Sequence, residues 1–131
     1  AAPRWVVEFD KVRPPYNVSV LDEAAAEFAI EHLDVLQAQC AQLRTDRDSL
    51  AAALACVPGV EQVFPSRANF VLVRVADSAA AHAAMRERGV LVKDVGRMHP
   101  LIADCLRLTV GTPAENGAML DALRGTLAAG R

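Results

Sequence analysis

The chain has 131 residues, of which 53% are hydrophobic and 23% charged, with a formal net charge of -2. This length suffices for one compact domain with a hydrophobic core and is too short for two ordinary domains. The balanced charge excludes a general attraction to nucleic acid or to an anionic membrane. No apolar run in the sequence is long enough to span a bilayer, and the N-terminus lacks the pattern of a signal peptide.

The chain begins with "AAPRWVVEFDKVRPPYN", without an initiator Met and with an apolar segment already under way. This start indicates a cut inside a longer protein or a tag remnant, although a native start is also compatible with it. The segment "RPPYN", from Arg13 to Asn17, predicts a stop to regular structure because each proline fixes φ and removes a donor.

A helical pattern runs from about Val20 to Cys56 and is rich in alanine, the best helix former. It is too long for a usual globular helix, so we expect a break near His32 to Asp34. The dipeptide Pro58-Gly59 ends it. A short strand at Val60 to Val63 is predicted next.

A stronger strand follows from Phe70 to Val75, apolar on both faces except at Arg74. The stretch "DSAAAHAAMRERG" predicts a helix that starts at Asp77 or Ser78 and ends at Gly89. A short strand at Val90 to Val92 and the polar loop "KDVGRMHP" come after it.

In the stretch "CLRLTVGTP", Leu106, Leu108 and Val110 alternate like one buried face of a strand, so Arg107 and Thr109 point to the other. The following "TPAE" has the form of a helix start, with a capping threonine, a first-turn proline and a capping-box glutamate. That last helix is expected to reach about residue 128. The order of elements predicts a two-layer α/β sandwich, with helices on one face of a small mixed sheet.

The three cysteines, Cys40, Cys56 and Cys105, are odd in number and match no metal or redox spacing. Since each lies in an apolar context, we expect buried free thiols and a reducing, cytoplasmic compartment. The three histidines are dispersed and match no metal motif, and the sequence contains no phosphate loop. We therefore expect no metal site.

Arg107, with Lys93 and Arg97 in the loop before it, is the remaining candidate for chemistry. One interpretation places Arg107 on the sheet face away from the helices, where it is wet and structural. In the other interpretation that face abuts another domain, and Arg107 holds an anionic group there by a bidentate contact. The residues alone favour neither of these two interpretations of Arg107 over the other.

Four stretches carry more information together than apart. They are "KVRPPYNVSVLDEAAAEFA", "VEQVFPSRANFVLVRV", "ERGVLVKDV" and "HPLIADCLRLTVGTPAEN". In this order they resemble the C-terminal part of the histidinol-phosphate aminotransferase family, from about Lys11 to Leu123. The motifs "PYN", "FPS.ANF" and "CLR.TVGTP.EN" are specific as a set. The family belongs to the class I/II aminotransferases of fold type I, which use pyridoxal 5′-phosphate (PLP).

The resemblance implies that residues 1–131 are the C-terminal small domain of such an enzyme, without its large cofactor-binding domain. The family transfers an amino group between histidinol phosphate and 2-oxoglutarate in histidine biosynthesis, and forms homodimers. Arg107 matches the arginine that binds the substrate's anionic end, and Lys93 stands where a second arginine is usual. The Schiff-base lysine, the PLP-phosphate loop and the pyridine-nitrogen aspartate lie in the large domain, so no catalytic or cofactor-binding residue is expected here.

Three alternatives stay open at this point. The chain is the small domain of another class I/II aminotransferase, such as one for aromatic amino acids, with Arg107 on a carboxylate. It is a stand-alone ligand-binding or regulatory module. Or it is a structural domain in which Arg107 is solvated. On the favoured interpretation the isolated chain neither transaminates nor holds PLP covalently.

Overall fold

A computed structural model describes residues 2–13 and 18–129 of the chain. Most of the predicted stop at "RPPYN", residues 14–17, lies outside the described residues. The helices and strands have these bounds: α1 Pro3–Val12, α2 Val20–Glu31, α3 Leu33–Ala55, β1 Val60–Phe64, β2 Phe70–Val75, α4 Ser78–Glu87, β3 Lys93–Asp94, β4 Cys105–Thr109 and α5 Pro113–Ala129. A 3-10 turn at Pro100–Ile102 precedes β4.

The chain divides into two compact units, Ala1–Ala38 and Gln39–Arg131. The first unit contains α1, which the sequence analysis did not predict, and the break between α2 and α3 at His32, which is confirmed. None of its described residues is buried. Large apolar side chains of α1 are therefore exposed, among them Trp5 at 53% and Phe9 at 60%.

The second unit holds a four-stranded sheet in the order β1-β2-β4-β3. All its pairs are antiparallel, so the two-layer sandwich is confirmed while the mixed pairing expected for the sheet is corrected. The physical reason is the position of β4. The helical connection through α4 leaves β2 and β3 running in the same direction, but β4 lies between them, and no parallel pair forms.

The third strand begins three residues later than the sequence predicts. Val90–Val92 has the stronger β propensity, but β3 is Lys93–Asp94, because these residues, and not the three valine-rich positions before them, pair with β4. Val92 is buried and Val90 packs against the core without joining the sheet.

The core of this unit lies between one sheet face and the helices. Residues 71, 73 and 75 of β2 and residues 106 and 108 of β4 are fully buried, and they pack with Leu54 of α3, Met85 of α4 and Leu123 of α5. Each such aliphatic side chain stabilises the fold by about 1.5–3 kcal/mol relative to an exposed one. This packing fixes which sheet face points away from the helices.

The cysteine prediction was wrong in part. Cys105 of β4 is buried, but Cys40 and Cys56 are exposed, the first on α3 and the second just after it. In an alanine-rich helix the sequence neighbours of a residue are apolar even on the face that meets solvent. Apolar neighbours in sequence therefore do not predict burial at Cys40 and Cys56.

The loop between β3 and β4 depends on a close backbone approach at Gly96. A Cβ atom at this position would lie 2.6 Å from the Ser78 hydroxyl oxygen and 3.0 Å from the backbone nitrogen of Asp104. The second neighbour is main chain and does not rotate away. Asp104 itself has a positive φ of 55°, a conformation that aspartate tolerates better than most residues.

We predict that Gly96→Ala destabilises the chain by about 1–3 kcal/mol, because the added methyl group forces main chain apart. Gly117→Ala is the matched control, since Gly117 lies in α5, where an added methyl group would have no neighbour within 4 Å among the described residues. That change is expected to stabilise the helix by up to about 1 kcal/mol. Urea unfolding of both variants measures the difference, and equal stability of the Gly96 variant and the parent would refute the close approach.

Candidate functional site

The sheet face that points away from the helices is called here the open face. It carries these residues: Gln62 and Phe64 of β1, Phe70, Leu72 and Arg74 of β2, Cys105, Arg107 and Thr109 of β4, and Lys93 of β3. Their positions follow from strand alternation, because their neighbours along β2 and β4 are in the core. The face combines aromatic rings with cations.

Arg107 is half-buried at the centre of the open face. It stands opposite Leu72 of β2 on one side and opposite Lys93 of β3 on the other. Its guanidinium carbon lies 5.3 Å from the centre of the Phe70 ring. Its Nε is buried, yet it has no hydrogen-bond partner among the described residues. A buried, charged donor without a partner is unfavourable, so this side chain is short of an acceptor.

Lys93 places a second positive charge beside Arg107. The two residues are direct partners across the β3–β4 pair, and Lys93 is exposed. Like charges in directly opposite positions destabilise a sheet. Among the ion pairs of the described residues, none involves either cation, so no carboxylate of this part of the chain offsets the repulsion. A bound anion would offset it.

Arg74, on the same face, differs from Arg107 because its guanidinium nitrogens have hydrogen-bond acceptors. Its Nε donates to the Ala103 carbonyl at 3.2 Å, and its two terminal nitrogens donate to Gln62 at 3.2 Å and to the Leu101 carbonyl at 2.8 Å. The two bonds to the carbonyl groups hold the 3-10 turn over the start of β4. Arg74 is therefore a structural arginine, and the open face presents Arg107 and Lys93 as its unsatisfied cations.

Asp94 follows Lys93 in β3 and anchors this edge strand from the other side. Its Oδ1 accepts a hydrogen bond from the Ser78 hydroxyl at 2.8 Å and another from the Gly96 N–H at 2.9 Å. The first bond ties β3 to the start of α4, and the second closes the turn after the strand. The backbone that carries Lys93 is thereby fixed.

The same contacts determine the charge state of Asp94. Partial burial acts to raise its pKa, but the hydrogen bonds from Gly96 and Ser78, together with two nearby basic side chains, outweigh burial, and the pKa lies below its usual value of 3.8. The positive charges of His82 and Arg97 act in the same direction. Arg97 thus acts on Asp94, and nothing in the structure groups it with Arg107.

The end of β4 is joined to α5 by a second set of bonds. The Asn116 side chain accepts from the Gly111 N–H at 2.9 Å and donates to the Gly111 carbonyl at 3.0 Å. Glu115 accepts from the Thr112 N–H at 2.7 Å and completes the predicted capping box. These contacts account for the "GTPAEN" motif and hold the strand in which Arg107 lies.

The sequence predicted a role for both cations, whereas Phe70 and Asn116 stood in the quoted motifs "FPS.ANF" and "CLR.TVGTP.EN" without an assigned role. The signal for Asn116 was its position beside the capping glutamate. The contact of Phe70 with Arg107 had no local signal, because it depends on the register between β2 and β4. The three histidines are not brought together, and within residues 2–13 and 18–129 no group of three potential metal ligands forms.

The fold and this site together define a class of protein domain. It is an α/β sandwich whose antiparallel sheet has helices on one side and a pair of unsatisfied cations on the other. Comparison with known proteins then identifies the family, since the family described as "Aminotransferase class I and II" matches residues 2–123. The chain belongs to this family, whose members depend on PLP in general.

Relatives with curated names confirm the resemblance of the motifs to the histidinol-phosphate aminotransferase family. "Histidinol-phosphate aminotransferase 1" of Burkholderia lata is 56% identical over 123 residues, covering 94% of this chain and 34% of that protein. "Histidinol-phosphate aminotransferase" of Acidovorax sp. is 59% identical over 122 residues, covering 93% and 33%. The chain thus spans about one third of the length of these relatives.

Solved structures share the fold. A putative aminotransferase from Burkholderia pseudomallei superposes with a TM-score of 0.82 at 30% identity, covering 95% of this chain and 37% of that one. The histidinol-phosphate aminotransferase from Clostridium acetobutylicum also has a TM-score of 0.82, at 18% identity and with 89% and 36% covered. The second likeness concerns the fold alone. In the part of the chain that the structure describes, no helix is long and apolar enough to cross a membrane.

We predict that Asp94→Asn lowers the free energy of unfolding at pH 7 by about 1 kcal/mol, through weaker acceptance from Ser78 and Gly96. The folded-state pKa of Asp94 is depressed, so its contribution is present above 3.8 and is lost as the pH falls through the folded-state value. The difference between parent and variant should therefore shrink below pH 4.

The measurement is urea unfolding between about pH 2.5 and pH 7. Asp121→Asn is the control, because the one polar contact of the Asp121 side chain with a described residue is an exposed pair with Arg124 at 3.3 Å, and such pairs contribute little. A difference that stays constant down to the lowest pH would contradict the role assigned to the Asp94 carboxylate.

Proposed function

We propose that residues 1–131 are the C-terminal small domain of a histidinol-phosphate aminotransferase. The full enzyme would transfer an amino group between histidinol phosphate and 2-oxoglutarate, a step of histidine biosynthesis, in the cytoplasm. Identity of 56–59% to relatives of that name supports the substrate. The structural observation that carries the proposal is the Arg107–Lys93 pair, two adjacent cations without an acidic partner among the described residues.

In this proposal Arg107 binds the anionic end of the substrate. Its planar guanidinium offers parallel N–H donors that fit a phosphate of histidinol phosphate or a carboxylate of the oxo acid. Both substrates carry such a group, so one arginine serves both halves of the exchange. Lys93 adds a compact charge that lacks the fork geometry and so tolerates anions of different shape.

The fixed backbone around these cations gives them a positioning role. Asp94 and Asn116 hold the two strands that carry them. A substrate whose anionic end is held at this face has its other end placed at a defined distance, which reduces the entropy lost on the way to the transition state. Pairing of the anion with both cations also favours closure of the domain and exclusion of water.

The residues of this chain do not fit PLP as its resident cofactor. The chain has two lysines, Lys11 and Lys93. The first pairs with Glu8 at 2.7 Å on an exposed helix face, and the second is exposed on an edge strand. Neither is enclosed as a covalently bound cofactor requires. PLP supplies the amino-group chemistry of the family, and we assign its binding to the rest of the full enzyme.

The exposed apolar side chains of α1 support a larger protein around this chain. Soluble monomers seldom expose contiguous apolar patches, and the exposed Trp5 and Phe9 lie four residues apart on one face of α1. The relatives are about three times as long as this chain, so they have sequence available to cover these side chains. We propose that the large domain and the homodimer of the full enzyme do so.

We predict that Arg107→Ala in the full-length enzyme lowers kcat/KM for histidinol phosphate by a factor equivalent to about 2–4 kcal/mol. The reason is the loss of a charge-assisted contact to the phosphate. Steady-state kinetics measure it. Thermal unfolding should be little changed, because Arg107 is outside the helix-facing core.

Arg124→Ala is the matched control for this prediction. It removes an arginine whose one polar side-chain contact within the described residues is an exposed pair with Asp121 on the surface of α5. Its kcat/KM should equal that of the parent. If Arg107→Ala also keeps the parent value, Arg107 does not bind the substrate.

We predict that the isolated chain forms no saturable covalent adduct with PLP. The experiment is incubation with PLP, reduction with borohydride and intact-mass measurement. The full-length enzyme, treated identically, serves as the positive control and should gain one cofactor per chain. A one-to-one adduct on the isolated chain would contradict the assignment of PLP to the rest of the enzyme.

A further inference from the structure

We propose that Phe70 is a positioning residue for Arg107, and that its ring sets the affinity of this site for phosphate and carboxylate groups. The inference rests on the proposed function in one respect, namely that Arg107 takes an anion. Beyond the proposed function, the inference is that the Phe70 ring holds the Arg107 guanidinium in position before the anion binds.

The contact itself is the first observation. Phe70 pairs with Thr109 and Arg107 pairs with Leu72, so the two residues are diagonal neighbours on the open face. Diagonal side chains of this length reach each other across a sheet, and the guanidinium carbon lies 5.3 Å from the ring centre. This distance is within the range of a cation–π interaction.

The second observation is what Arg107 lacks. Its Nε is buried without a partner in the described part of the chain, and no carboxylate there pairs with it. Lys93, directly opposite, repels it. Within the described residues, the electron-rich face of the Phe70 ring is therefore the one group that attracts the Arg107 guanidinium.

A second arginine on the same face provides an internal comparison. Arg74 is a diagonal neighbour of Phe64, and its guanidinium carbon lies 5.2 Å from that ring. Arg74 is nevertheless fixed by three hydrogen bonds, two of them to carbonyl groups of the 3-10 turn region. Removing the Phe64 ring leaves Arg74 anchored, whereas removing the Phe70 ring leaves Arg107 with no anchor.

A ring suits this purpose better than a carboxylate. A carboxylate accepts the guanidinium N–H bonds and competes with the incoming anion, whereas a phenyl face attracts the charge and leaves those donors available. A side chain already held in place also loses less conformational freedom when the anion binds. Phe70 thereby raises affinity without touching the substrate's anionic group.

The test measures the dissociation constant of inorganic phosphate for the full-length enzyme, by competition with histidinol phosphate. Phe70→Leu should raise this constant about fivefold to tenfold, the equivalent of a contact of about 1–1.4 kcal/mol. The KM of histidinol phosphate should rise in parallel, while kcat stays within about twofold. Phe64→Leu is the matched control and should leave both constants unchanged.

A series of ring-fluorinated phenylalanines at position 70 separates electrostatics from shape. Each added fluorine withdraws electron density from the ring face, so phosphate affinity should fall stepwise with fluorination while the fold is kept. Phe70→Tyr, which retains the electron-rich ring, should bind phosphate like the parent. A purely structural role for Phe70 would give no graded response. The series also decides the question if Phe70→Leu fails to fold.

Arg107→Ala, measured alongside, tells the two proposals apart. If this variant loses phosphate binding while Phe70→Leu and the fluorinated series bind like the parent, the positioning role is wrong and the proposed function stands. If Arg107→Ala binds phosphate like the parent, both proposals are wrong.

Discussion

The antiparallel pairing of β2 with β4 is the interaction on which the rest of the structure depends. Its register puts the alternate residues Val71, Val73, Leu106 and Leu108 on the helix side, where they are fully buried. The same register places Arg107 on the open face. Shifting the β2–β4 register by one residue would turn Arg107 toward the core and Leu106 and Leu108 toward solvent. The burial of these leucines therefore also fixes the position of Arg107 on the open face.

Arg107 and Lys93 lie side by side in the sheet, and their repulsion raises the free energy of the folded state. Several contacts hold the two cations in place. The Phe70 ring faces the guanidinium of Arg107. Asp94 and Asn116 secure the backbone of the two strands from the opposite side and from the C-terminal end. Such a site is pre-formed, and its unfavourable electrostatics are relieved by the ligand it would bind.

Features with local causes could be predicted from the sequence. The break at His32 follows from helix length, and the start of α5 follows from the capping residues Thr112 and Glu115. Arg107 was found because a charge inside an apolar strand is conspicuous in the pattern. Its pairing with Lys93 could not be predicted, because strand order and register depend on residues far apart in sequence. The displaced β3 has the same origin, since pairing with β4 overrode the local β propensity.

The insertion of β4 between β2 and β3 determines when the sheet can be completed during synthesis. The β1–β2 hairpin needs only residues 60–75, but the inner partner of β2 begins at Cys105. A ribosome adds about 5–20 residues per second, so the backbone N–H and C=O groups on this edge of β2 stay unpaired for seconds until β4 emerges. During that interval the nascent chain carries an unprotected strand edge, the feature most prone to pairing with a wrong chain.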